Sequence, residues 1–173
     1  MIEVLVEAVG LKALARTGWV RCRVPDPESV AAHSWGVSLL VCVLLPEGMD
    51  RAKALTYATL HDLPEVRVGD IAPSDGVSPE DKARQEHAAM ADLGRQLPDH
   101  VAAAFAAYEA QADEEARFVR QLDRLDMALQ ALAYARAGHP GLDEFVDSAD
   151  AFIEHPALTP LVAQIRQRWP GAA

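Results

Sequence analysis

The chain has 173 residues, a net charge of −10 and half of its residues hydrophobic, which suits one domain spanning residues 1–173 with an apolar core. The acidic balance argues against a duplex nucleic-acid surface or an anionic membrane as partner. Cys22 and Cys42 form no metal-binding spacing and no disulfide framework, so a reducing compartment is expected.

Alanine and leucine dominate and β-branched runs are short, which predicts an all-α fold. A first helix is expected over about Ile2 to Ala15, stopping near Thr17-Gly18. Asp26 as N-cap, with Pro27 at the first helical position, predicts a second helix to about Leu45. Asp50 predicts a third, Arg51 to Asp62, ended or bent by Pro64. Residues 66–77 contain Gly69, Pro73 and Gly76 and predict a loop or a short turn of helix. Ser78-Pro79 opens a charged helix to about Leu97, and Pro98 or Asp99 opens another to about Ala112. Asp113 caps a long helix, Glu114 to Ala137, stopped by Gly138 and Pro140. Leu142 to Ile153 and Pro160 to Trp169 complete the set. Glu3 and Glu7 stand where a signal peptide needs bases, and the longest apolar run, Val37 to Leu45, is too short to span a bilayer. The expected protein is soluble and cytoplasmic.

In the 114–137 helix, Phe118, Leu122, Leu125, Leu129 and Leu132 recur at spacings of three and four and predict the core stripe. Asp123 sits at its edge. His33 shares a helix side with Val30 and Val37. His61-Asp62 ends an apolar helix. Two imidazoles and two carboxylates can hold one borderline divalent metal and leave positions open for water. Taken singly, each has a plainer reading. His33 can be a hydrogen-bonded core residue, His61 can neutralise a helix C-terminus, and Asp123 can pair with Arg120 or Arg124.

Further residues suit phosphate chemistry. Lys12, Arg16, Arg21 and Arg23 lie in a stretch free of acids between Glu7 and Asp26, which reads as a phosphate-binding segment or a solvated basic face. Lys82 is a phosphate candidate or a solvated helix lysine. Glu65 and Asp70 follow the His-Asp pair closely and offer acid/base groups beyond the metal ligands. Together with the adjoining Ile71 they are also a candidate place for a second, oxygen-loving cation such as Mg2+. Asp70 alone can be an Asx-turn residue.

The ordered set His33…His61-Asp62…Asp123 resembles the signature of the HD-domain phosphohydrolases. More narrowly, the chain is similar to the small HD-domain 5′-deoxynucleotidases, the YfbR-like group and its eukaryotic-type relatives. The segments that carry this run from Arg16-Thr-Gly-Trp-Val through Pro27-Glu-Ser-Val-Ala-Ala-His33 and His61-Asp-Leu-Pro-Glu-Val-Arg-Val-Gly-Asp-Ile-Ala-Pro73 to Glu80-Asp-Lys-Ala-Arg-Gln-Glu86. Tyr108-Glu-Ala-Gln, Phe118-Val-Arg-Gln-Leu-Asp-Arg-Leu-Asp-Met127 and Phe145-Val-Asp-Ser complete them, over nearly the whole chain.

The resemblance implies a helical bundle with the metal between helices, and hydrolysis of deoxyribonucleoside 5′-monophosphates. It implies His33, His61, Asp62 and Asp123 as ligands to Co2+, Mn2+ or Zn2+, and Glu65 and Asp70 as essential acids. It implies Trp19 and a nearby arginine, here Arg16 or Arg21, as contacts to sugar and phosphate. The bacterial pattern has arginine directly before the tryptophan, whereas Gly18 stands here, and Asp126 stands where relatives often carry glutamate. A homodimer is expected. The rival readings are an HD-type phosphodiesterase or other nucleotide phosphohydrolase, a di-iron HD oxygenase and a silent metal-binding module. The oxygenase needs a histidine where Glu65 stands, and retention of Glu65 and Asp70 argues against the silent module.

Overall fold

Four helices start on a side chain that accepts from a backbone N–H three residues ahead. Ser29 accepts from Ala32 at 3.2 Å, Asp50 from Lys53 at 3.0 Å, Ser78 from Asp81 at 3.1 Å and Asp113 from Ala116 at 2.9 Å. Each such cap stabilises its helix by about 1 kcal/mol. The computed structural model describes residues 1–72 and 75–170; Pro73, part of the expected loop, lies outside them.

The helices are α1 (Ile2–Ala8), α2 (Thr17–Arg21), α3 (Val30–Leu44), α4 (Arg51–Leu60), α5 (Glu65–Val68), α6 (Pro79–Gly94), α7 (Asp99–Glu109), α8 (Glu114–Arg136), α9 (Asp143–Phe152) and α10 (Thr159–Gln167). Among the described residues there is no strand, only an isolated bridge between Ala15 and Ser29. The all-α expectation holds. No helix is long and apolar enough to cross a membrane.

Two expected boundaries are wrong, for one reason. The first helix tightens to a 3-10 turn at Val9–Lys12 instead of running to Ala15. The second starts at Ser29, not Asp26, which takes a left-handed φ of 49°. Between these elements residues 14–16 lie against residues 28–30. The Arg16 N–H donates to the Glu28 carbonyl at 3.0 Å, and the Val30 N–H to the Leu14 carbonyl at 2.8 Å. These long-range bonds outcompete the local Asp-Pro start signal. They also free Thr17–Arg21 to form α2, which the sequence reading stopped short of.

Helix α8 is the axis of the molecule and packs on α3, α4, α7, α9 and α10. Phe118, Leu122, Leu125 and Leu132 are buried as expected, each contributing about 1.5–3 kcal/mol by leaving water. Leu129 is not, at 38% exposed; Ala128 and Ala131 take the inward face there. A second apolar cluster, including Val4, Leu11, Val30, Met90 and Phe105, ties the N-terminal turn to α6 and α7. The two clusters flank the turn that follows α4, where His61, Asp62 and Glu65 lie. Gly69, with φ of 80°, then ends α5 and sends Asp70 back toward α2.

Candidate metal centre and catalytic cavity

The buried side of α3 carries His33, and the C-terminal end of α4 carries His61 and Asp62. Asp123 comes from the middle of α8. Their donor atoms converge. His33 Nε2 lies 3.4 Å from His61 Nε2, 3.1 Å from Asp123 Oδ1 and 3.8 Å from Asp62 Oδ2. His61 Nε2 lies 3.2 Å from Asp62 Oδ2.

The outer ring nitrogens fix the orientation of both imidazoles. His61 Nδ1 lies 2.9 Å from the Ala58 carbonyl, which can only accept, so that nitrogen carries its proton and Nε2 is left with a lone pair. His33 Nδ1 lies 2.8 Å from Asp126 Oδ2 and donates to it. Asp126 therefore does for His33 what a carbonyl does for His61, holding the ring and raising its basicity. The approach depends on Gly36, because a Cβ there would overlap the Asp126 carboxylate. Converging imidazole nitrogens and carboxylate oxygens fit a divalent cation of borderline hardness, with His33, His61 and Asp62 close enough to share one ion.

The electrostatics agree with this. Burial pushes the Asp62 carboxyl up, but His61, Arg16 and His33 overcome it and hold the group well below the usual range. Asp123 is likewise held down, against burial, by His33, His61 and Arg124. Burial and Arg16 disfavour a charged His33, but Asp123 and Asp126 outweigh them and raise it to about 10. A metal entering at Nε2 must displace that proton. Asp123 makes no ion pair with Arg120 or Arg124 among the described residues; Arg120 instead pairs with Glu109 at 3.1 Å. The plainer reading of Asp123 thus fails.

A cavity of about 370 Å³ opens onto this cluster, a size common for small-molecule sites. Glu65 is 1% exposed and lines it, and neither of its carboxyl oxygens has a hydrogen-bond partner. Lys82 Nζ at 3.7 Å and Arg16 at 4.0 Å are its nearest cations. Burial first, then Asp62 and Asp70, push Glu65 up to about 10. Asp70 is fully engaged instead: Oδ1 takes Arg16 at 3.0 Å, and Oδ2 takes the Thr17 N–H. Arg16 also reaches Asp62 at 3.3 Å, so one guanidinium joins the donor cluster to the Asp70 turn. Ile71 and Lys82 line the same cavity, and Lys82 leans on Glu86 at 3.3 Å.

Trp19 lines the cavity but is only 2% exposed. Its indole N–H donates to Glu28 at 2.8 Å, and its ring packs on Phe145 with centroids 4.0 Å apart. Gly18 lies beside that packing, since a Cβ there would sit 3.2 Å from the Phe145 ring. Arg21 is elsewhere: it forms an ion pair with Asp75 and does not line the cavity. Sequence reading missed the role of Asp126 beside His33. For Asp126 the signal was present, since it follows Asp123 by three residues on one helix and shares its face.

The HD domain model matches residues 8–157. The chain belongs to the HD-domain family. It is 37% identical over 161 residues to the human 5′-deoxynucleotidase HDDC2, covering 90% of this chain and 79% of that protein. It is 33% identical to the 5′-deoxynucleotidase hdd1 of Schizosaccharomyces pombe, covering 86% and 79%. The crystal structure of the PH0347 protein from Pyrococcus horikoshii OT3 superposes with a TM-score of 0.82 at 31% identity, covering 97% of this chain and 99% of that one. The fold also matches, at 19% identity and a TM-score of 0.61 with 94% of each chain covered, the cyanophage S-2L HD phosphohydrolase DatZ, whose structure holds dA and one catalytic Zn2+ ion.

Proposed function

We propose that this HD-domain protein hydrolyses deoxyribonucleoside 5′-monophosphates to deoxynucleoside and phosphate, with His33, His61, Asp62 and Asp123 holding a transition metal such as Mn2+, Co2+ or Zn2+. The observation that carries the reading is the juxtaposition of the converging donors with Glu65, a buried carboxyl whose oxygens are free to meet a ligand in the cavity. Relatives named as 5′-deoxynucleotidases supply the substrate class.

A divalent ion bound there supplies Lewis-acid activation of water and of a phosphoryl oxygen. The chain's own residues do the rest. Beside a divalent ion held by the neighbouring donors, the Glu65 carboxyl falls from its raised range. The resulting carboxylate orients the attacking water, accepts its proton and returns it to the departing 5′ oxygen. Arg16 and Lys82 supply positive charge at the cavity wall, facing the charge spread over the phosphoryl oxygens during in-line displacement. Asp70, fixed by Arg16 and Thr17, keeps that arginine aimed. Thr17 sits two residues before Trp19, whose edge bounds the sugar. Glu65, Asp70 and Ile71 as a second, Mg2+ site is the weaker assignment, because Arg16 already neutralises Asp70.

The nucleotide is the small-molecule partner; a second copy of the chain is the macromolecular one. Trp35 (68% exposed), Leu39 and Val43 form an apolar row at four-residue spacing on the outer side of α3, and a two-fold contact through it would cover them. Light scattering tests this, with Trp35→Glu expected to give monomers. The unpaired Cys22 and Cys42 suit the cytoplasm. A panel of nucleotides assayed for phosphate release with Mn2+ or Co2+ tests the reaction. Release from deoxynucleoside monophosphates supports it; turnover of cyclic nucleotides alone would replace it with a phosphodiesterase.

A further inference from the structure

Three buried side-chain oxygens lack a hydrogen-bond partner among the described residues. Two belong to Glu65, and the third is the hydroxyl of Tyr108. Tyr108 is 1% exposed and lines the same cavity. Its ring is held on several sides. It packs on His61 with centroids 5.5 Å apart and on Tyr57 at 6.2 Å, and the Arg120 guanidinium lies 5.5 Å from its centroid. Arg120 is in turn fixed by Glu109, the next residue along α7. The hydroxyl is thus rigidly placed in a residue of the cavity wall, with Arg120 as the nearby donor toward its oxygen and no protein acceptor for its proton among the described residues.

A buried hydroxyl left unpaired costs about 1–3 kcal/mol, and phenylalanine would fill the same space without that cost. The cost is recovered when an acceptor enters the cavity. Building on the reaction proposed above, we infer that the Tyr108 hydroxyl donates a hydrogen bond to a non-bridging phosphoryl oxygen of the substrate, alongside the metal centre. A phenol keeps its proton at neutral pH, so it acts as a donor toward an entering acceptor. No covalent step is assigned to it. The contact adds a neutral, directional donor to a wall whose Arg16 and Lys82 are already partly neutralised by Asp62, Asp70 and Glu86.

Tyr108→Phe removes this hydroxyl and nothing else. In the metal-loaded protein the variant is expected to keep its metal content and to melt at the same temperature or higher, because an unsatisfied group is gone. At the same time kcat/KM for dAMP is expected to fall about 10- to 100-fold, the worth of one hydrogen bond to a charged acceptor. Inhibition by inorganic phosphate weakens by a similar factor, while inhibition by deoxyadenosine stays unchanged. Unchanged turnover and phosphate inhibition would overturn the inference, as would a lowered melting temperature, which would mean the hydroxyl has a structural partner. Thermal protection by inorganic phosphate, compared between the two proteins, reads the contact even if the wild type hydrolyses no deoxynucleotide. Loss of protection in the variant would then support the Tyr108 contact while the proposed reaction fails; equal protection would overturn the contact.

Discussion

The Asp126 carboxylate reaches the His33 imidazole because Gly36, one helical turn beyond His33 on α3, has no side chain. The absence of a Cβ on one helix thus sets the orientation of the His33 imidazole through the neighbouring helix. Gly36→Ala should push Asp126 off His33 Nδ1 and lower metal affinity about 10- to 100-fold, as loss of such an outer partner does elsewhere. Asp126→Asn should weaken binding in the same direction without crowding α3. A metal titration followed by calorimetry checks both; unchanged affinity in both variants would remove Asp126 from the metal centre.

Glu65 separates binding from turnover. Its carboxyl makes none of the contacts that gather the four donors. Glu65→Gln should therefore retain the metal and lose about 100-fold or more in kcat, the usual worth of a positioned base. Metal analysis beside a steady-state assay tests this, and full turnover in the variant would exclude Glu65 as the base.

The pH dependence of metal-free stability follows from two raised groups. Glu65 rises from 4.5 to about 10, and His33 from 6.5 to about 10. The folded state therefore binds more protons than the unfolded chain between those values. The stability these groups contribute is fully present below their unfolded pKa values and is lost as pH rises through about 10. Asp62 and Asp123, held down, act with the opposite sign, but only below 3.8. Urea denaturation of chelator-treated protein from pH ~5 to ~9.5 should show falling stability, with a shallower fall in Glu65→Gln. A flat profile in the wild type would contradict the burial assigned to Glu65 and the Asp123 and Asp126 contacts assigned to His33.

The four converging donors were legible because each sits at a place where local pattern and burial conflict. His33 shares the apolar side of α3, His61-Asp62 closes an apolar helix, and Asp123 borders the leucine stripe of α8. A polar group on such a face needs a partner, and the partners could be counted. The α3 start was not legible, because Asp26-Pro27 is a sound local signal and only the pairing of residues 14–16 with 28–30 defeats it. Arg21 looked equivalent to Arg16 in the sequence. Their separation depends on α2, a five-residue helix that turns one inward to Asp62 and Asp70 and the other outward to Asp75. Tyr108 stood in a matching segment with no role attached, since the register of α7 against α4 is set by tertiary packing alone. The stripe expected at Leu129 drifted because the inward face of α8 passes to Ala128 and Ala131, where small side chains admit close neighbours.

The central claim is that three separate segments meet around one cation that drives phosphate release. Its most direct test is phosphate production from dAMP by protein stripped with chelator and reloaded with Mn2+ or Co2+, run beside His61→Ala and Asp62→Ala. The account predicts release that is abolished by stripping, restored by reloading, and absent in both variants. Release that persists in stripped protein or in the variants, or none from any deoxynucleoside monophosphate after reloading, would contradict it.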